Sequence, residues 1–327
     1  MDPLYNKEKA VEALKKATQE RMANVHSGLQ LARMFEGDMC WSSYTAIQVG
    51  AVWRLVYSQA AGGGGPEEVV ASFHGVICNA DLPPFRERIS IGNKQVKYIR
   101  QSVTLTAFGD PMFDAVGVNI AEVHALFGRV VGADRLQECS IYTVFDGTPA
   151  VEMSNRYFTP KSEAPNAVGI VLADDVDPHG NLTRAAGSGY IHTEDNQVYY
   201  FERQVKSEDD HRFVATSPVT FQVGDIVEVQ VSFAVLPLRE GRLKTSMILR
   251  SISLLDGGQT QAAAVLKFSS KMKAREPCIT LKCRVGYLEE EVSVTRAKFV
   301  CMEINEKDSE EEAVVVETMG MGLDNVD

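Results

Sequence analysis

From Val227 to Phe233 the chain alternates without a break: Val227, Val229, Val231 and Phe233 are apolar, and Glu228, Gln230 and Ser232 between them are polar. In extended backbone successive side chains point to opposite sides, so this spacing predicts a strand over 225–233 with one buried face and one wet face. A helix, with its period of 3.6, cannot sort these residues onto two sides. Such a strand needs neighbours, because its backbone donors and acceptors must be paired.

Other stretches of strand length recur along the chain. Residues 70–78, 95–108, 140–145, 189–204, 245–255, 279–287 and 292–301 are rich in β-branched and apolar residues. Turn formers separate them: Asn79 to Pro84, Gly109-Asp110-Pro111, Asp146-Gly147, the acidic loop 174–180, and Leu236 to Gly241. Residues 120–131 fit a helix or a strand equally. Near the N-terminus the pattern differs. Val11, Leu14, Met22, Val25, Leu29 and Ala32 fall at three- and four-residue spacings, which predicts an amphipathic helix over 7–35 with Asn6 as N-cap and Gly37 as stop. Gly62 to Gly65, followed by Pro66, make a loop. No Gly-Lys-Ser/Thr follows them, so it is not a phosphate loop.

Together these segments predict a mainly β protein: two antiparallel barrel- or sandwich-like units, OB-like in one version, behind an N-terminal amphipathic helix. The division expected is a helical segment with its glycine loop over 1–66, a first β domain over 67–160, a second with C-terminal strands over 161–302, and an acidic tail over 303–327. Pro160 and Pro165, close together in polar chain, mark the middle boundary.

Composition narrows the setting. Hydrophobic residues make up 45% and charged residues 24%, which is enough to bury an ordinary core. The six cysteines are scattered, and the opening MDPLYNKEKAVEALKK has no apolar export core, so reduced thiols in a cytoplasmic or nuclear protein are expected. No apolar run approaches the ~18 residues that a membrane helix requires, and no membrane partner is expected. The net charge is −11, but residues 303–327 hold nine acids against one base, Lys307, and so carry −8 of it. The remaining chain is near neutral and has room for a basic groove.

Two resemblances add to this. The stretch GDIVEVQVSFAVLPL from Gly224, continued by TSMILRSISLLD to Asp256, resembles a segment shared by uncharacterised proteins found in many copies in mushroom-forming fungi. It implies lineage and no activity. Separately, Gly187-Ser-Gly-Tyr190-Ile-His192, then Tyr199-Tyr200-Phe201, then the strand opening at Gly224-Asp225 resemble the strand order of cold-shock and other OB-fold barrels. Residues 96–110 are similar to the middle strands of a replication-protein-A-type barrel. This resemblance implies single-stranded nucleic acid as ligand.

Such binding needs cations along a groove and flat side chains for bases to stack on. On 279–287 Lys282 and Arg284 share the polar face. Lys271 and Lys273 precede them, and Arg296 and Lys298 follow. Lys97, Tyr98 and Arg100 belong to a second cluster with Arg86, Arg88 and Lys94, and Arg239, Arg242, Lys244 and Arg250 to a third. Tyr98 and Tyr199 are the stacking candidates, and the acidic tail would compete for the groove or recruit partners. The alternative is a self-assembling protein that forms homo-oligomers through its N-terminal helix and sheet edges.

Metal and catalytic patterns are thin. Asp175-Val-Asp177-Pro-His179-Gly180 begins like a calcium loop, but its twelfth position is Ala186 instead of a bidentate Glu. Cys278 and Cys283 fall on opposite faces of a strand, unsuited to shared zinc ligation. His192, Glu194 and His211 lack the His-x-Asp spacing of an iron triad. There is no Gly-x-Ser-x-Gly elbow, dinucleotide fingerprint or kinase set. The expected function is a non-enzymatic binding module with no cofactor, no metal and no catalytic residue assigned.

Overall fold

The computed structural model describes residues 1–24, 28–36, 41–58, 65–85, 95–207 and 210–273, apart from the side chains of 205–211 and 272–273. Met1–Lys271 forms one compact unit and Met272–Asp327 another, which lies almost wholly outside the described residues. In chain order the elements are α1 (Lys7–Ala23), β1 (Tyr44–Val49), β2 (Val52–Tyr57), β3 (Val70–Asp81), β4 (Arg100–Thr106) and α2 (Met112–Val131). There follow β5 (Tyr142–Phe145), β6 (Thr148–Arg156), β7 (Thr159–Pro160), α3 (Asn181–Ala186), β8 (Tyr190–Ile191) and β9 (Tyr199–Ser207). The last are β10 (Asp210–Ala215), β11 (Ile226–Pro237), β12 (Leu243–Asp256) and α4 (Gly258–Lys273).

Ten strands make one sheet in the order β10-β9-β12-β11-β3-β4-β6-β5, with the β1–β2 hairpin attached through β2 to β11. The protein is therefore mainly β, but the expected pair of antiparallel barrels or sandwiches is corrected. Strands on both sides of residue 160 join a single mixed sheet, in which β9 runs parallel to β12. The sheet curls until β6 meets β12, where Asn155 Nδ2 donates to Leu249 O at 3.2 Å. That contact is a side chain and not a backbone ladder, so no barrel closes among the described strands. The sequence patterns mark strands but not their pairing; register between distant segments is decided by mutual packing.

α1 begins where expected: Asn6 Oδ1 accepts from Lys9 N at 3.0 Å. It stops at Ala23, about three turns before the periodic pattern ends. The chain instead lays Leu29 beside β3, where Ser72 N donates to Leu29 O at 2.8 Å. β4 pairs with β3 only from Val76 onward, so this stretch satisfies an edge that α1 could not. The ambiguous segment 120–131 belongs to α2, which Pro111 precedes and whose first N–H, that of Met112, donates to Asp110 Oδ1 at 3.0 Å. Its buried Phe113, Val116, Ile120, Val123 and Phe127 recur every three to four residues, and Phe113 packs 6.2 Å from Phe73 of β3. Residues 168–172, rich in apolar groups, form no strand.

The expectation of a wet face on β11 also fails. Glu228 is 3% exposed and Ser232 0%. β11 is a central strand, and α1 crosses its polar side. The expected strands at 279–287 and 292–301 and the tail 303–327 lie outside the described residues, and so does Gly37.

Candidate functional site

Register brings the polar residues of β11 into two rows that run across the sheet. One row is His74–Glu228–Ser253–Phe201–Ala215 and the other is Ser72–Gln230–Ser251–Tyr199. Paired residues in a ladder share a face, so all nine lie on one side, opposite the apolar row Phe73–Val229–Ile252–Tyr200. At the β3 end α1 covers this face; at the β9 end it opens to solvent.

The covered end is charged. Arg21 of α1 grips Glu228 with both arms, Nε to Oε2 at 2.7 Å and Nη2 to Oε1 at 2.8 Å. His74 Nε2 lies 2.8 Å from the same Oε2. Burial pushes the Glu228 carboxyl up, but hydrogen bonds from His74 and Arg21 outweigh it and hold the group below the usual carboxylate range. Arg21 also stacks over Phe213, 4.8 Å from the ring centroid, while Arg203 Nη1 donates to Glu20 Oε2 at 3.1 Å.

Where α1 ends, the face opens into a groove lined by Arg21, Phe201, Phe213, Gln230, Ser251 and Ser253, with a cavity volume of about 480 Å³. Tyr199, 46% exposed, does not line the groove but follows Ser251 on the same face, its ring inclined 19° to that of Phe201 at 6.5 Å. Ser251 Oγ donates to Gln230 Oε1 at 3.0 Å. Exposed Tyr199 and part-buried Phe201 thus share one sheet face with part-buried Gln230 and with Ser251 and Ser253, which lie buried at the floor.

Beyond the rows lies a ring of four charges. Arg54 reaches Glu68 at 3.1 Å and Asp195 at 2.6 Å, and Arg250 reaches the same two carboxylates at 2.7 and 2.9 Å. Burial raises Asp195, yet the two arginines win and hold its carboxyl below the usual range. Both Glu228 and Asp195 have folded pKa values below their unfolded ones, so their stabilisation is complete above about pH 5 and is lost as acid takes the pH through about 4 and below. Urea midpoints measured from pH 7 to pH 3 are expected to fall more steeply for the wild type than for a Glu228→Gln, Asp195→Asn variant.

The described residues among those expected to bind nucleic acid lie at three places: on β9, at the start of β4 and on α4. Of the stacking candidates, Tyr199 is on the open face. Tyr98 is 61% exposed before β4 with Lys97 Nζ 4.8 Å over its ring, and three strands stand between β4 and β9 in the sheet. Arg100 is exposed there and donates to Ser154 Oγ at 3.3 Å. Lys271 is exposed on α4. Lys282, Arg284, Arg296 and Lys298 lie outside the described residues, as do Arg86, Arg88, Lys94 and the side chain of Lys273. Arg250 leaves its expected cluster for the four-charge ring, while Arg239 and Arg242 stay exposed on the β11–β12 turn.

Two residues of the metal-like patterns have other roles, while Cys278, Cys283 and the side chain of His211 lie outside the described residues. Asp177 caps α3, accepting from Leu182 N at 3.2 Å and Thr183 N at 2.9 Å. His192 Nδ1 donates to Tyr157 O at 2.7 Å. Among the described residues no three His, Cys, Asp or Glu side chains converge as a metal would need, and no described helix is long and apolar enough to cross a membrane. Phe201, Phe213, Gln230, Ser251 and Ser253 were missed as site residues. The alternation in β11 was a visible signal, but only register adds the serines and phenylalanines to it. Compared with known proteins, the chain matches no family model and no curated protein.

Proposed function

We propose that the protein is a binding module that takes single-stranded nucleic acid on the open half of this sheet face. The observation that carries the reading is the near-parallel pair Tyr199 and Phe201 beside Gln230, Ser251 and Ser253. Bases stack on aromatic faces whatever their sequence, and neutral side chains meet their edges. The arginines around the groove (Arg21, Arg203 and Arg250) are already carboxylate-paired. Stacking, and not phosphate neutralisation, therefore supplies most of the affinity at this face.

Fluorescence anisotropy with a labelled oligothymidine tests this. The expected results are saturable binding, a salt slope in log affinity no steeper than about −2, and a loss of about tenfold to a hundredfold for Tyr199→Ala. No binding at low salt, or binding indifferent to Tyr199→Ala and Phe201→Ala, refutes the platform. A steep slope abolished by Lys282→Glu with Arg284→Glu assigns the ligand to the C-terminal cations instead.

A second reading, self-assembly, has its own observation. α4 exposes Val265 (64%), Leu266 (55%) and Phe268 (66%) together. The N-terminal helix expected to drive assembly instead buries Ala10, Leu14 and Ala17 in its own fold. Light scattering of the purified chain should then report a defined oligomer that Phe268→Glu reduces to a monomer.

A further inference from the structure

Between α1, β3 and α2 lies a second cavity, of about 250 Å³. Its walls come from four places that the sequence keeps apart: α1, the turn after it, β3, and the first turn of α2. Leu14, Phe73, Phe113 and Val116 line it and are each 8% exposed or less, so its floor is interior, while exposed Lys15, Arg33 and Glu36 stand at its mouth. Native interiors keep few voids larger than a water molecule. A cavity of ~150 Å³ with apolar walls already holds benzene, so this one has room for a bicyclic ring. Met22 and Met112, both half-buried, add thioether walls that adapt to ligand shape.

The polar groups are few and specific. Ser72 and His74, buried at 3% and 6%, bring a hydroxyl and an imidazole to the β3 side, and Thr18 of α1 adds a second hydroxyl. The charges at the mouth cancel in pairs: Lys15 lies 2.8 Å from Asp110, and Arg33 lies 3.8 Å from Glu36. No net charge is left to hold an ion. A cleft with a buried, mainly apolar floor and a small number of hydrogen-bonding groups describes a site for a small organic molecule. We infer that the cavity between α1, β3 and α2 binds a neutral, mainly apolar ring compound carrying one hydrogen-bonding group.

The inference is independent of the nucleic-acid reading, because none of Tyr199, Phe201, Gln230, Ser251 or Ser253 lines this cavity. Indole and p-cresol are suitable probes of the full-length chain. Expected are saturable 1:1 binding by calorimetry, a raised melting temperature, and shifts of the methyl signals of Met22 and Met112 with no comparable shift at Met153 or Met247. Val116→Trp, which fills the cavity, should weaken binding at least tenfold. Ala115→Leu narrows it from a half-buried position and should weaken binding if the tryptophan variant fails to fold. Tyr199→Ala should leave it unchanged. Absence of saturable binding by both probes, or methyl shifts confined to other methionines, overturns the assignment.

Discussion

Arg21→Ala is expected to destabilise the protein by ~3–5 kcal/mol, which would be seen as a large fall in the urea midpoint with little change in slope. The cost comes less from the lost attraction than from the charge left behind. Glu228 sits at 4% side-chain exposure in the middle of the sheet, and the bidentate guanidinium meets both its oxygens. Without Arg21, only His74 of its two side-chain partners still faces that carboxylate, and water entering from the adjoining groove replaces the lost bidentate donors only in part. Exchanging both partners, Arg21→Met with Glu228→Leu, should cost much less than Arg21→Ala, because no buried charge is orphaned. Equal losses in the single and double variants would show that α1 docks by packing alone. Far-ultraviolet dichroism would register any loss of α1 itself.

Phe127→Ala should have an effect of similar size, ~3–5 kcal/mol, by another route. Phe127 is fully buried on α2, in the core that Phe73, Phe113 and Ile120 share. Removing its ring leaves a void that the surrounding helix and sheet cannot collapse to fill. Val118 is the control on the same helix: at 60% exposure, Val118→Ala should stay within ~0.5 kcal/mol. A contrast of this size between two apolar residues nine positions apart measures how far the α2 core depends on one face.

The two experiments bear on different halves of the fold. The first tests whether the polar side of β11 is held in place by charge, and so whether the groove beside it has a fixed wall. The second tests the apolar side against which that wall rests. Neither involves Tyr199, so a loss of nucleic-acid binding in Tyr199→Ala with unchanged stability would belong to the platform and not to the scaffold.

The local devices of this chain were legible in its residues. The Val227 to Phe233 alternation is β11, the Asn6 cap starts α1, and the Leu236 to Gly241 turn joins β11 to β12. Each is governed by neighbours within a few positions, through backbone geometry and side-chain period. Partnership was not legible. Nothing in the period of β11 says that Glu228 faces His74 and Arg21, or that Ser253 and Phe201 extend its row, because those residues lie far away in sequence. A buried polar residue and a wet one look alike until a helix crosses above them. Tertiary packing therefore decided three things: that the described strands share one curled sheet, that α1 crosses the charged end of its polar face, and that among the described residues Tyr199 at the aromatic end stays exposed.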